Sequence, residues 1–328
     1  MHRIAVLALT LVTAATLAVP AILTAAFAQE RYPNRPIRLV VSSSAGGVHD
    51  VIGRLWANKL KRALGTIVID NRGGAGGTLG VGEVARAQPD GYTLLLGSNS
   101  THILHPLIAK QPVFDSIRDF EVVSIFAVTA PSIAVYPAAP ARTLQELIAY
   151  AKANPGKLNY AHAGVGSISH VASEMFKQLA GGLDIFPVPY KGMGPAQADV
   201  ISGNVVMFLP NITGQVIELH RTGRIRILAV GAPARHPALP EIPTAVESGV
   251  AGMIAQNFFG IFGPAGMPKP IVGRLNETTQ AALADKDFGE TLSAAGFEPL
   301  PGLSAEQAKA FIKDEYVRWQ AVVRAAGL

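Results

Sequence analysis

The 328-residue chain contains no cysteine, which excludes disulfides, thiolate metal or redox centres and a lipid anchored on cysteine. Its stability must therefore come from its core alone. Long basic runs are missing too. The 28 basic and 23 acidic residues are scattered, the densest basic stretch being Lys59-Leu60-Lys61-Arg62, so the formal charge of +5 describes no nucleic-acid surface. That small excess favours small anionic ligands instead. There is no internal repeat, and no Gly-x-Ser-x-Gly elbow: Gly164-Val165-Gly166-Ser167-Ile168-Ser169 lacks its spacing. A dinucleotide site is excluded on similar grounds, because Gly74-Ala75-Gly76-Gly77-Thr78-Leu79-Gly80 is misspaced and the next strand ends in Gly97-Ser98 without a ribose-binding acid. No metal is expected either. His102 and His105 stand three apart but have no third ligand, and with Pro106 beside them they read as loop histidines.

The first 28 residues read as a cleavable export signal: Arg3, an apolar run from Ile4 to Leu23 broken by Pro20, then Ala26-Phe27-Ala28 before Gln29. Loss of Arg3 takes the net charge from +5 to +4. The alternative, a membrane anchor, is long enough but conflicts with Pro20 and the Ala-x-Ala ending. Roughly 300 residues then remain, enough for two domains with a substantial core.

Strand and helix patterns alternate along the whole mature chain, which predicts an α/β fold with mostly parallel sheets. Ile37 to Val41 reads as a strand, and Val51, Ile52, Leu55, Trp56, Leu60 and Leu64 recur at helical spacing after it. Between them lies Ser43-Ser44-Ala45-Gly46-Gly47-Val48-His49-Asp50. A second strand, Leu158 to Ala163, feeds a like turn at Ala163-Gly164-Val165-Gly166-Ser167-Ile168-Ser169-His170. A glycine-rich turn before a helix presents unpaired N–H groups and the positive end of the helix dipole, a ready anion site. Two such turns predict one carboxylate gripped from two sides. Lys191-Gly192-Met193-Gly194, with Pro195 at the first helical position, predicts a third outward-facing helix start.

The order of several short motifs carries a family resemblance. Tyr32-Pro33-Asn34-Arg35-Pro36-Ile37, Ala45-Gly46-Gly47-Val48-His49-Asp50, Asp70-Asn71-Arg72-Gly73-Gly74-Ala75-Gly76-Gly77 and Pro89-Asp90-Gly91-Tyr92-Thr93-Leu94 open the series. Gly166-Ser167-Ile168-Ser169-His170, Pro189-Tyr190-Lys191-Gly192, Leu228-Ala229-Val230, Ile242-Pro243-Thr244-Ala245-Val246-Glu247-Ser248-Gly249 and Phe262-Gly263-Pro264-Ala265-Gly266 complete it. Taken together the chain resembles the Bug family, the periplasmic solute-binding receptors of tripartite tricarboxylate transporters. The resemblance implies a two-lobed clamshell of the type II periplasmic-binding-protein kind, with two interdomain crossovers near Ala130 and Ala255. Residues 29–129 with 256–328 would form one lobe and 130–255 the other. It further implies a periplasmic, monomeric receptor that closes on a small organic acid, mono-, di- or tricarboxylate, and hands it to membrane transporter subunits.

The ligand contacts expected on this reading are Ser43, Ala45, Gly46, Gly47, Asp50, Ser98, Gly166, Ser167, Ser169, His170, Tyr190 and Lys191. Asp50 has two open roles: it bonds loop amides, or it faces a donor on the ligand, since two carboxylates in contact would repel. Ser167 or Ser169 also suits a helix cap. Lys191 would supply a point charge to a distal carboxylate, or lie in solvent. The chain departs from the family where Ser42-Ser43-Ser44 replaces Pro-Phe-Pro, at Asn71-Arg72-Gly73 and Asn257-Phe258-Phe259, and at Val206 and Leu209, which replace aspartates. These positions bear on the ligand, so no named substrate carries over. Two rival functions remain: a receptor that signals to a membrane sensor kinase, and an exported hydrolase built on Ser167.

Overall fold

Apolar runs become strands and periodic runs become helices in a computed structural model that describes residues 32–73 and 77–328. The export segment 1–28 lies outside the described residues, as do Gly74, Ala75 and Gly76. The order begins β1 (Ile37–Val41), α1 (Val48–Leu64), β2 (Ile67–Asn71), α2 (Thr78–Ala85) and β3 (Thr93–Ser98). A π-helical segment, Asn99–Leu104, then runs into α3 (His105–Ile108) and the long strand β4 (Phe120–Thr129). The middle of the chain forms β5 (Ser132–Val135), α4 (Leu144–Ala153), β6 (Leu158–His162), α5 (Ile168–Leu179), β7 (Ile185–Pro189), α6 (Met193–Ile201), β8 (Met207–Phe208), α7 (Gly214–Arg221) and β9 (Arg226–Val230). β10 (Asn257–Pro264), α8 (Lys269–Leu283), α9 (Lys286–Ala294), β11 (Glu298–Pro299) and α10 (Ala305–Ala325) close it.

These strands make two sheets, ordered β11-β4-β10-β3-β1-β2 and β7-β6-β8-β5-β9. The chain passes from the first sheet to the second between β4 and β5, and back between β9 and β10. This is the two-lobed α/β clamshell. Its sheets are mixed rather than mostly parallel. Pairing is parallel within β2-β1-β3 and β7-β6-β8, and antiparallel wherever β4, β5, β9, β10 or β11 takes part. The cause lies in the crossings: a strand leaving for the other sheet and a strand returning from it must run in opposite directions.

The second sheet is apolar on both faces. Ile133 and Val135 of β5, Tyr160 of β6 and Met207 of β8 join one core cluster, while Ala134, Ala161 and Phe208, their neighbours in sequence, join another. The period-2 alternation of a strand thus places every residue against packing, which is why these strands read as continuous hydrophobic runs. The first cluster also contains Val40, Leu95 and Phe262 of the first sheet. In the same half, Trp56 of α1 is fully buried and its indole N–H donates to Thr279 Oγ1 of α8 at 3.2 Å, fixing the helix that follows the first glycine turn.

His102 and His105 lie in the π-helical segment and at the start of α3, not in a loop. His102 is fully buried, stacked on Phe262 with centroids 4.1 Å apart, and its Nε2 is 2.9 Å from the Ser116 carbonyl oxygen. Burial pushes its pKa down to about 4, so it is a neutral core side chain. Among the described residues no helix is long and apolar enough to cross a membrane, and no three metal-ligating side chains cluster.

Candidate functional site

Five α-helices among the described residues carry a side-chain cap. Thr143 caps α4, Ser167 caps α5, Thr213 caps α7, Asp285 caps α9 and Ser304 caps α10, each accepting an orphan N–H of the first turn. Three helices instead begin on glycine with no side-chain cap: α1 on Gly47, α2 on Gly77 and α6 on Gly192. The first-turn amides of α1 and α6 keep their capacity to bind an external anion.

At the first turn, Ala45 and Gly46 are exposed, and Ser43 and Gly47 half-buried. Asp50 bonds its own loop in this structure. Its carboxylate is buried and accepts from Gly46 N at 2.9 Å, Arg54 Nε at 3.0 Å and Asn71 Nδ2 at 3.0 Å. Burial alone would raise its pKa. The bonds from Arg54, Gly46 and Asn71 outweigh that and hold it below the usual carboxylate range. Asn71 also donates to the Ser43 carbonyl at 3.2 Å, so this side chain from β2 and the Asp50 carboxylate together hold the turn in shape.

The second turn is tighter. Ser167 Oγ caps the His170 amide at 3.3 Å and donates to the Gly164 carbonyl at 2.6 Å, while Ser169 Oγ accepts from Ala163 N at 3.0 Å. Ser169 and His170 are buried. The His170 ring stacks on His162, centroids 4.5 Å apart, and its Nδ1 lies 3.4 Å from Gly166 N. Burial, with the neighbouring His162, pushes its pKa to about 4 and leaves it neutral. The reading that both turns point outward therefore needs correction. Solvent reaches the second turn at Val165 and Ser167, but Gly166 is buried and the Ile168 amide is taken by Ser100 Oγ at 3.0 Å.

That bond shows where the turns meet. His49, in the first turn of α1, places Nε2 2.7 Å from Ser98 Oγ, and Ile168, in the first turn of α5, bonds Ser100. The two helix starts therefore flank one short stretch, Ser98-Asn99-Ser100, at the end of β3. Ser98 is fully buried and also within 3.4 Å of Thr101 Oγ1, so its hydroxyl is engaged inside the protein. Burial pushes the His49 pKa to about 4. Asn99 is anchored on both ends: Nδ2 donates to Glu315 Oε2 of α10 at 2.9 Å, and Oδ1 accepts from Phe258 N of β10 at 2.8 Å.

The third helix start differs from expectation in detail. α6 begins at Met193, so Pro195 is the third helical residue, still within the turn whose amides have no intrahelical partner. The Tyr190 hydroxyl donates to Asp199 at 2.5 Å, which pushes its pKa up to about 12 and commits it to its own lobe. Lys191 is exposed. Sequence reasoning missed Asn71, His49, Ser100 and His105. The last packs on the second turn, where a Cβ on Gly166 would come within 2.7 Å of its Nδ1. The polar run Ser98-Asn99-Ser100-Thr101 straight after an apolar strand was the available signal for Ser100.

With this geometry in hand, a model of the tripartite tricarboxylate transporter family receptor matches residues 52–328. Protein BugT of Bordetella pertussis is 35% identical over 300 residues, covering 91% of both chains. The structure of R. palustris Rpa4515 with adipate is 34% identical, covers 90% of this chain and 98% of its own, and superposes with a TM-score of 0.84. MatC from Rhodopseudomonas palustris with bound malate is 30% identical, covers 89% and 100%, and has a TM-score of 0.81.

Proposed function

Because the chain belongs to the tripartite tricarboxylate transporter receptor family, which includes the Bug proteins, we propose that it is a periplasmic receptor that captures a small organic carboxylate between its lobes and delivers it to the membrane subunits of such a transporter. The observation that carries this reading is the meeting of two helix starts from different sheets at Ser98-Asn99-Ser100. One start is glycine-capped and exposed, the other held by Ser167 and closed over by Ser100. Adipate and malate in the two relatives named above agree with an acid as ligand. The lobes are assigned as residues 29–129 with 256–328 and residues 130–255. Binding rather than turnover is the role this reading assigns, and it is supported by the bonds that His170, Tyr190 and Asp50 make within the protein. Ser43, Ala45, Gly46, Gly47, Ser167 and Lys191 are assigned as direct ligand contacts, with Asp50, Ser98, Gly166, Ser169, His170 and Tyr190 shaping the loops behind them.

A ligand that binds the closed state better than the open one shifts the lobes together and raises the melting temperature by linkage. A thermal-shift screen of mono-, di- and tricarboxylates is the direct test. At a hundredfold excess over Kd the stabilisation is about 2.7 kcal/mol, well within detection. Absence of any stabilising acid across a broad panel refutes the assignment.

Ser100 supplies a second test. Its hydroxyl accepts an α5 amide from the other lobe, so Ser100→Ala removes one interlobe hydrogen bond worth about 1 kcal/mol. Binding measured by calorimetry should weaken about fivefold if the ligand leaves that amide to Ser100. Tighter binding would show instead that ligand and Ser100 compete for it.

A further inference from the structure

A cavity of about 270 Å³ opens beside the second glycine turn, lined by Thr78, His105, Val113, Phe114 and Val165 among others. We propose that it receives the uncharged body of the ligand, and that the protein is a receptor for carboxylates with an apolar aliphatic or aromatic body rather than for di- or tricarboxylates. The proposal rests on the carboxylate-receptor reading above.

The cavity borders the second turn directly and approaches the first through the start of α2. Val165 belongs to the second, and His105 packs against Gly166 next to it. On the other side Thr78 follows Gly77, whose α-carbon lies so close to the Ser42 carbonyl that a Cβ would approach it to 2.8 Å. Ser42 directly precedes the first turn. The proposal places the carboxylate at the turns and its chain in this space.

The lining then selects by chemistry. It contains no lysine, arginine, aspartate or glutamate. A second carboxylate placed there would find no counter-charge in the lining, whereas methylenes gain by covering its apolar side chains. His105 does not provide one, because burial lowers its pKa and keeps the ring neutral. Val113 and Val165 are 61% and 60% exposed, and Leu79, next to Thr78, is 62% exposed. Large apolar side chains held in water around a cavity gain free energy when an apolar group covers them. The volume suits such a group: it sits just below the range of roughly 300–1,000 Å³ common for small-molecule sites, and an apolar cavity of about 150 Å³ already accepts benzene.

Hexanoate and adipate share a six-carbon chain and differ by one terminal carboxylate, so they isolate the question. Calorimetric titration of the full mature chain should show hexanoate binding at least tenfold more tightly than adipate, with benzoate binding as well. Val113→Lys, at an exposed position on the cavity wall, introduces the missing cation and should lower or reverse that ratio. The proposal is overturned if adipate matches hexanoate in the unaltered protein, or if Val113→Lys leaves the ratio unchanged. It is also overturned, with the receptor reading intact, if other carboxylates stabilise the protein while hexanoate and benzoate do not bind. If no carboxylate of any class binds, the receptor reading itself fails and takes this inference with it.

Discussion

Gly166→Val should weaken ligand binding at least tenfold and lower the melting temperature, whereas Gly182→Val should lower the melting temperature and leave binding intact. The two glycines share a left-handed backbone, with φ of 78° at Gly166 and 75° at Gly182. A non-glycine residue there costs about 1–2 kcal/mol, and a β-branched one is a true outlier. Surroundings separate them. A Cβ at Gly182 meets nothing within 4 Å, but one at Gly166 would come within 2.7 Å of His105 Nδ1 and 3.1 Å of its Cε1. His105 opens α3, after β3 of the first sheet, and Gly166 follows β6 of the second, so the added atoms form a wedge between the two. Either the ring swings into the cavity it lines, or the turn flips and its amides leave the ligand. A tenfold loss corresponds to about 1.4 kcal/mol. Equal affinity loss in both variants, measured by calorimetry, would mean that backbone strain alone governs binding.

Much of this arrangement was legible in the sequence because the signals are local. Gly47 and Gly192 mark glycine-capped helix starts, and the apolar runs of β1, β3, β6 and β9 need no partner to be recognised. The fold followed from the alternation and from the family resemblance. What the sequence hid was decided by tertiary partners. Asp50 looked equally suited to a ligand donor or to the loop, and its bonds to Asn71 of β2 and to Arg54 of the next helical turn come from tertiary and helical partners that the motif itself does not display. Tyr190 looked like a donor until helix α6 brought Asp199 beside it. Strand polarity was misjudged for a related reason, since direction in β4 and β10 depends on where the chain crosses between lobes, and no periodicity records that. The π-helical segment after β3 was also invisible. Its register puts Ser98 under His49 and Ser100 over Ile168, a geometry that the bare run Ser-Asn-Ser does not announce.

Asn99, between those two serines, is held by Glu315 of α10, and Glu315→Gln should destabilise the protein by about 2 kcal/mol at neutral pH, roughly 3 °C in melting temperature. Glu315 Oε2 accepts from Asn99 Nδ2, from Trp319 Nε1 at 2.9 Å and from Arg318 Nη2 at 2.8 Å, while Oε1 accepts from Arg318 Nε at 2.8 Å. Glutamine keeps one acceptor and loses the charge and the bidentate pair. The figure stays modest because Arg318 retains 35% of its side-chain surface in water. Burial pushes the Glu315 carboxyl up, but the bonds from Arg318, Asn99 and Trp319 prevail and hold its pKa below the ordinary value. A depressed folded pKa contributes stability that is complete above the unfolded value, about 4.3, and disappears as pH falls through the folded one. The gap between the native chain and Glu315→Gln should thus be full at pH 7 and close progressively below about pH 4.3, since a protonated glutamate and a glutamine are near equivalents. Urea unfolding at a series of pH values reads this directly. Ligand affinity should fall with stability, because Asn99 positions the serines that both glycine turns contact. A gap that stays constant down to pH 3 would show that Glu315 acts by packing alone, and unaltered affinity would show that Asn99 holds its place through the Phe258 amide without help from α10.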